Sequence, residues 1–215
     1  MNKILFENHT FLYSRNGEKE VLLEGNTELI TRLFRQHEVI GKGSKEEASA
    51  TDYALIDMLT ASYVLKCGRP VKVLEVGAVS GILSYHLISL LGKFNRGSHL
   101  CCVSDVIGNG SENQWLDRIV LAEEPAAFSY LTSDYDETLL QDKVFDVVIL
   151  NGIVNFEEPY AVIKEGERLA KDGGIIICYC KDAPLLESSF KLDFAPDRRR
   201  EYSLETGSSI ITASK

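Results

Sequence analysis

Two glycines four apart follow an acid in LEVGAVSG (residues 74–81), and single polar residues close the later apolar runs of the chain. Gly77 and Gly81 allow a tight backbone turn where an apolar run passes into a helical pattern. Amide donors there, near the positive end of a helix, can meet a carboxylate. Glu75, at the end of VKVLEV, can balance a ligand ammonium directly or through water. Asp105 closes HLCCVSD, where a carboxylate can accept from both hydroxyls of a ribose, and Asp134 closes FSYLTSD, where it can accept from an adenine amino group. Asn151 and Gly152 close VFDVVILNG, beside the expected position of a transferable group. Each alone is more often a solvated strand end. Together, at one edge of a sheet, they suit an amino-acid-bearing nucleoside. A dinucleotide turn, G-x-G-x-x-G, is not matched, because Val79 stands where a glycine-rich turn often places its second glycine, and a phosphate P-loop is excluded because no Gly-Lys-Ser/Thr follows.

These residues need a parallel sheet to bring them together. From Val71 onward short apolar runs alternate with helical stretches: VKVLEV, HLCCVSD, AFSYLTSD, VFDVVILNG and GGIIICYCK. Fully apolar runs of this kind indicate strands covered on both faces by helices. Between them the pattern predicts a helix GILSYHLISLL with Leu83, Leu87, Leu90 and Leu91 buried and Gly92 as its stop. Further helices are expected at about Glu112 to Ala122 and Pro159 to Lys171, with a short turn at Glu137 to Gln141. EYSLETGSSIITASK reads as two strands joined at a Thr-Gly turn, an antiparallel hairpin ending the sheet.

The first forty residues differ in texture. Two apolar segments flank SRNGEKE, whose Asn16-Gly17 pair suggests a hairpin turn, and NTELITRLFRQHEVI has helical spacing. Ser44 and Glu47 form a capping-box signature for a helix to about Lys66, with Leu55, Met58, Leu59 and Leu65 on one face. The expected organisation is an N-terminal extension over 1–43, covering the binding edge or making a homodimer contact, and one α/β domain over 44–215.

A chain of 215 residues with 45% hydrophobic content fits one substantial domain, and its formal net charge of −9 provides no global positive field to draw it onto nucleic acid. No apolar stretch approaches the roughly 20 residues of a membrane span and the start lacks a signal-peptide core, so a cytoplasmic protein without a membrane partner is expected. The five cysteines lie mostly in apolar runs and lack C-x-x-C spacing, which reads as structural core rather than zinc or redox chemistry.

VLEVGAVSG, the block FDVVILNGIVNFEEPYAVIKEGERLAKDGGIIICY and the terminal hairpin together resemble the class I S-adenosylmethionine-dependent methyltransferase family, over about Val71 to the C-terminus. The resemblance implies a Rossmann-like doubly wound, mostly parallel sheet and S-adenosyl-L-methionine as cofactor. It places Glu75, Gly77, Ala78 and Gly81 around the methionine end, Asp105 at the ribose, Asp134 at the adenine and Asn151 near the sulfonium. It also implies methyl transfer to a small-molecule substrate. Asn151 and Asn155 stand where a metal-dependent relative would carry carboxylates, so no metal is expected.

No catalytic base is evident. His86 lies within a helical pattern and Tyr179 within a strand, both read as packing; Lys181 and Asp182 are better placed to border a substrate pocket, and Arg198 to Arg200 form either a solvated turn or a recognition site for an acidic substrate. Two competing readings remain: a non-catalytic protein that keeps the fold and acts as a binding module, and a nicotinamide-dependent oxidoreductase.

Overall fold

From Lys72 each apolar run becomes a strand, because β-branched and aliphatic residues with no polar partner are stable only where helices cover both faces of a sheet. The computed structural model describes residues 2–6, 9–13, 22–24, 47–78, 81–104, 115–117, 119–122, 125–152, 158–180, 198–203 and 208–215. Three strands, β1 (Asn2–Phe6), β2 (His9–Tyr13) and β3 (Leu22–Glu24), form a separate antiparallel sheet in that order. A long helix, α1 (Glu47–Cys67), leads into β4 (Lys72–Val76), α2 (Ile82–Phe94), β5 (His99–Ser104) and β6 (Ala127–Thr132). The chain continues as β7 (Phe145–Asn151), α3 (Pro159–Leu169), β8 (Ala170–Cys180), β9 (Arg199–Ser203) and β10 (Ser209–Ser214).

The seven-stranded sheet has the order β6-β5-β4-β7-β8-β10-β9. Strands β6 to β8 are parallel, and β10 inserts antiparallel between β8 and β9. The fold is therefore the expected Rossmann-like α/β sheet with an antiparallel C-terminal hairpin. Its order reverses at β4: the chain steps outward to β5 and β6, then returns to place β7 on the other side. The carboxyl end of β4 is thus a topological switch point, where open α/β sheets accept ligands.

Successive strand residues alternate between two cores. Val73, Leu100, Val147, Ile149, Ile177 and Ile210 pack with α1 and α2, and Leu74, Val76, Val148, Leu150, Ile176 and Ile211 pack with α3. The cysteines are free; Cys101, Cys102, Cys178 and Cys180 are buried in these layers. Gly166 in α3 meets Leu150 so closely that a Cβ would lie 3.1 Å from a Leu150 methyl, which fixes how near this helix sits to β7.

Several boundaries differ from the sequence pattern. Gly92 does not stop α2, which runs to Phe94; Asn95 ends it, its backbone amide donating to Leu91 O at 2.9 Å and its side chain to Arg69 O at 3.0 Å. Residues 137–141 form no helix. Glu165 of α3 supplies the acceptor that this stretch needs, taking bonds from Thr138 N at 3.0 Å and Thr138 Oγ1 at 2.6 Å. Ser44, the Asn16-Gly17 pair and the Thr206-Gly207 pair lie outside the described residues. Among the described residues no helix is long and apolar enough to cross a membrane.

Candidate functional site

Residues 76–78 leave β4 as a turn. Gly77 has φ +88°, a left-handed conformation that any side chain would strain. The amides of Gly77 and Ala78 both donate to Val103 O of β5, at 2.9 and 3.1 Å. These two amides close the turn onto the neighbouring strand. Ligand-facing donors must come from elsewhere in the turn or from the start of α2. Gly81, φ +73°, is the N-cap of α2. A Cβ there would lie 2.9 Å from the Trp115 backbone, so glycine is required sterically as well as conformationally.

Glu75 lies beneath this turn with 1% of its surface exposed. Its Oε2 accepts from Ser84 Oγ at 2.5 Å, and its Oε1 accepts from Asn151 Nδ2 at 3.2 Å. Trp115 Nε1 donates in turn to Ser84 Oγ at 2.8 Å, and the Cys102 thiol lies 3.9 Å from Glu75 Oε2. Burial pushes the Glu75 carboxyl up to about 7 against the hydrogen bonds from Ser84 and Asn151, with Asp57 adding to the rise. Burial and the Glu75 charge hold the Cys102 thiol well above its usual range.

Asn151 is the last residue of β7 and pairs with Tyr179 of β8, while Gly152 N donates to Tyr179 O at 3.0 Å. Tyr179 is more than packing: its hydroxyl donates to the buried Asp52 of α1 at 2.9 Å, and Tyr53 meets its ring edge-on at 5.7 Å. His86 is buried between α1 and α2, its Nδ1 3.8 Å from Asp57 Oδ2. Asp134 lies exposed just beyond β6, and Ser133 N donates to Ser104 O at 3.0 Å, joining the ends of β5 and β6. Across two strand spacings Asp134 stands roughly 10 Å to one side of β4.

Glu75, Gly77, Ala78, Gly81 and Asn151 therefore converge at the carboxyl ends of β4 and β7, with Asp134 along the same edge. Asp105, Val79, Ser80, Lys181 and Asp182 lie outside the described residues. Arg198 to Arg200 do not join the group. Arg199 pairs with Ala213 and Arg200 with Thr212, which face Ile176 and Ile177 in the middle of β8. In register they stand level with Leu74 and Glu75, but on the edge strand β9, four strands and roughly 19 Å sideways from β4.

Sequence reading missed Ser84, Trp115, Asp52 and Asp57. The signal for Ser84 is a hydroxyl within the buried stripe of α2, three residues after Gly81. For Asp52 and Asp57 it is two acids inside an otherwise apolar helix, where each needs a partner to be buried. Nothing local in Trp115 points to Glu75.

Residues 74–178 match a family model described as a methyltransferase domain. Comparison with curated protein sequences finds no match. Among solved structures the fold is similar to the CurJ carbon methyltransferase, with a TM-score of 0.61 at 13% identity over 87% of this chain and 58% of that one. It is also similar to the CMeT domain of the citrinin polyketide synthase, at TM-score 0.64 and 10% identity over 82% of this chain and 55% of that one. A third similar structure is the tRNA (m1A58) methyltransferase TrmI from Aquifex aeolicus, at TM-score 0.58 and 12% identity over 76% of this chain and 68% of that one. The chain spans less than two thirds of the length of the first two.

Proposed function

We propose that the protein, whose residues 74–178 match a methyltransferase-domain model, transfers the methyl group of S-adenosyl-L-methionine to a small molecule. The observation that carries this reading is the buried Glu75, held by Ser84 and Asn151 directly under the Gly77–Gly81 turn at the switch point of the sheet. The residues suit that cofactor. A left-handed glycine keeps side-chain bulk out of the turn, the start of α2 offers a positive end to a carboxylate, and the exposed Asp134 stands two strands along for the adenine end.

In this reading Gly77, Ala78 and Gly81 border the methionine end, and Glu75, held by Ser84 and Asn151, stands beside them. Asp105 accepts from the ribose, Asp134 from the adenine amino group, and Asn151 lines the space near the sulfonium. The cofactor, when bound, supplies a methyl group already activated by sulfonium. The chain's own residues then chiefly align the acceptor and exclude water, with a proton acceptor needed only where the nucleophile carries a proton. The acceptor edge carries exposed acids, Asp134, Asp136, Glu137 and Glu158, which favours a neutral or cationic small molecule over an acidic one.

Calorimetric titration with S-adenosylmethionine and S-adenosylhomocysteine tests the proposal, with Gly77→Arg as the blocked-site variant. Saturable binding by the wild type that disappears in folded G77R supports it. Absence of binding of either compound by folded wild type overturns it.

A further inference from the structure

We propose that Ser84 and Trp115 are positioning residues of the cofactor site, acting in series on Glu75: the Trp115 indole N–H fixes the Ser84 hydroxyl, and Ser84 fixes the carboxylate. This rests on the cofactor reading above and adds two residues to it.

The hydrogen-bond directions dictate the series. An indole nitrogen only donates, so Trp115 Nε1, 2.8 Å from Ser84 Oγ, occupies a lone pair of that hydroxyl. The single Ser84 proton then points to Glu75 Oε2 at 2.5 Å. Asn151 supplies the donor to the other oxygen, so both oxygens of Glu75 are held from two sides, by α2 and by β7. With Trp115 unable to accept, the hydroxyl proton has no competing acceptor in that direction.

The same tryptophan also fixes the turn itself. Its backbone and ring fill the space where a Cβ on Gly81 would stand, at 2.9 and 3.0 Å. The indole is fully buried and is held in turn by Tyr130, with ring centroids 4.8 Å apart, and by Phe128 at 5.4 Å. One side chain therefore sets the start of α2 by contact and the carboxylate below it by hydrogen bonding. A purely structural tryptophan would need only the first.

Other ionisable groups surround Glu75. Asp57 of α1 raises its proton affinity, and Asp57 is itself beside His86 of α2. Cys102 of β5 offers a thiol, and Asp52 of α1 holds the Tyr179 hydroxyl on β8. The Trp115–Ser84 pair combines a hydrogen bond to Glu75 with packing of Trp115 against Gly81.

Trp115 is the sole tryptophan of the chain, so its emission is a direct probe of the series. Wild type without ligand should show an emission transition with a midpoint near 7, where Glu75 exchanges its proton, and E75Q should abolish it. S84A should move that midpoint upward, because the carboxylate loses a donor. S84A should also weaken S-adenosylhomocysteine binding by about tenfold or more, with S84T restoring both the midpoint and the affinity. W115F, followed by calorimetry, should weaken binding in the same direction as S84A. Binding and emission midpoint in S84A equal to wild type overturn the positioning role, as does an emission transition that persists in E75Q. Failure of folded wild type to bind S-adenosylhomocysteine overturns the cofactor reading and the positioning role together, whereas wild-type binding with an unaltered S84A overturns only the latter.

Discussion

Glu75 and Asp146 are buried carboxylates on adjacent strands of one sheet, each with 1% of its surface exposed, yet their surroundings push them in opposite directions. Asp146 sits at the amino end of β7, where Arg69 Nη2 approaches at 2.6 Å, Lys171 Nζ at 3.0 Å and the Lys72 amide at 2.9 Å. Burial alone would raise it, but the Arg69 hydrogen bond, the Lys72 amide and Lys171 together hold it below its ordinary value. Glu75, at the carboxyl end of β4, has only neutral donors among the described residues, and burial pushes it up to about 7. Burial is common to both; charged partners decide the sign. The amino end of the sheet thus uses its carboxylate to join α1, β4, β7 and β8, while the carboxyl end keeps one whose charge is poorly compensated. A buried carboxylate raised in this way is in keeping with the cofactor site proposed above.

The largest effect is expected from D146A. Removing that carboxylate leaves Arg69, Lys171 and the Lys72 amide without their acceptor, but Arg69 and Lys171 reach water, so the fold should lose about 3 kcal/mol, read as a lower denaturant midpoint at unchanged m-value. The stability that Asp146 contributes is present above the ordinary carboxylate range and is lost as pH falls through its lowered folded value. A loss under 1 kcal/mol would show that the two carboxylates are not the opposites described.

E75Q should change stability in the other direction. The unfolded chain releases this proton near 4.5 and the folded chain near 7, so between those values the folded state binds more protons and stability falls as pH rises. Above pH 7 the cost is fully present, and E75Q should recover at most about 3 kcal/mol at pH 8 and little at pH 4. Measuring thermal midpoints of E75Q and wild type at both pH values checks this. Equal stability of the two proteins at pH 8 would remove the contrast with Asp146.

The smallest effect belongs to D172N. Lys143 Nζ lies 2.9 Å from Asp172 Oδ2 at the same end of the sheet as Asp146, but both side chains are mostly exposed. Water and salt screen such a pair, so the denaturant midpoint of D172N should be indistinguishable from wild type. A measurable shift would mean that position at the amino end, rather than burial, gives Asp146 its weight.

The alternation of VKVLEV, HLCCVSD, AFSYLTSD, VFDVVILNG and GGIIICYCK made the parallel sheet legible, because each run lacks the polar face that an exposed strand would carry. EYSLETGSSIITASK made the closing hairpin legible for a different reason, two short strand-like runs on either side of a Thr-Gly turn. Helix ends were less so. Gly92 has the composition of a stop, yet Asn95 ends α2 because its side chain reaches the Arg69 carbonyl on another segment. Glu137 to Gln141 has turn composition, but Glu165 from α3 satisfies it without a helix.

Within the site, Glu75, Gly77, Ala78, Gly81 and Asn151 were accessible from sequence because strand ends and glycine turns mark themselves locally. Their association at one edge follows from parallel strand order alone. Arg198 to Arg200 illustrate the opposite case: three consecutive arginines invite a recognition role, and only the sheet order places Arg199 and Arg200 on the edge strand β9, four strands from β4.

The sequence by itself determined where the strands of the seven-stranded sheet run, which edge of that sheet collects their terminal polar residues, and that the first turn must bend on glycine. Periodicity and backbone sterics are local properties, written in neighbouring residues. Only the tertiary structure decided that the turn amides of Gly77 and Ala78 are committed to Val103, that Asp52 receives the Tyr179 hydroxyl across 127 positions, and that Trp115 reaches Glu75 through Ser84. Those bonds join residues far apart in the chain. Their existence depends on how closely packed helices bring side chains together in space, which no run of adjacent letters specifies.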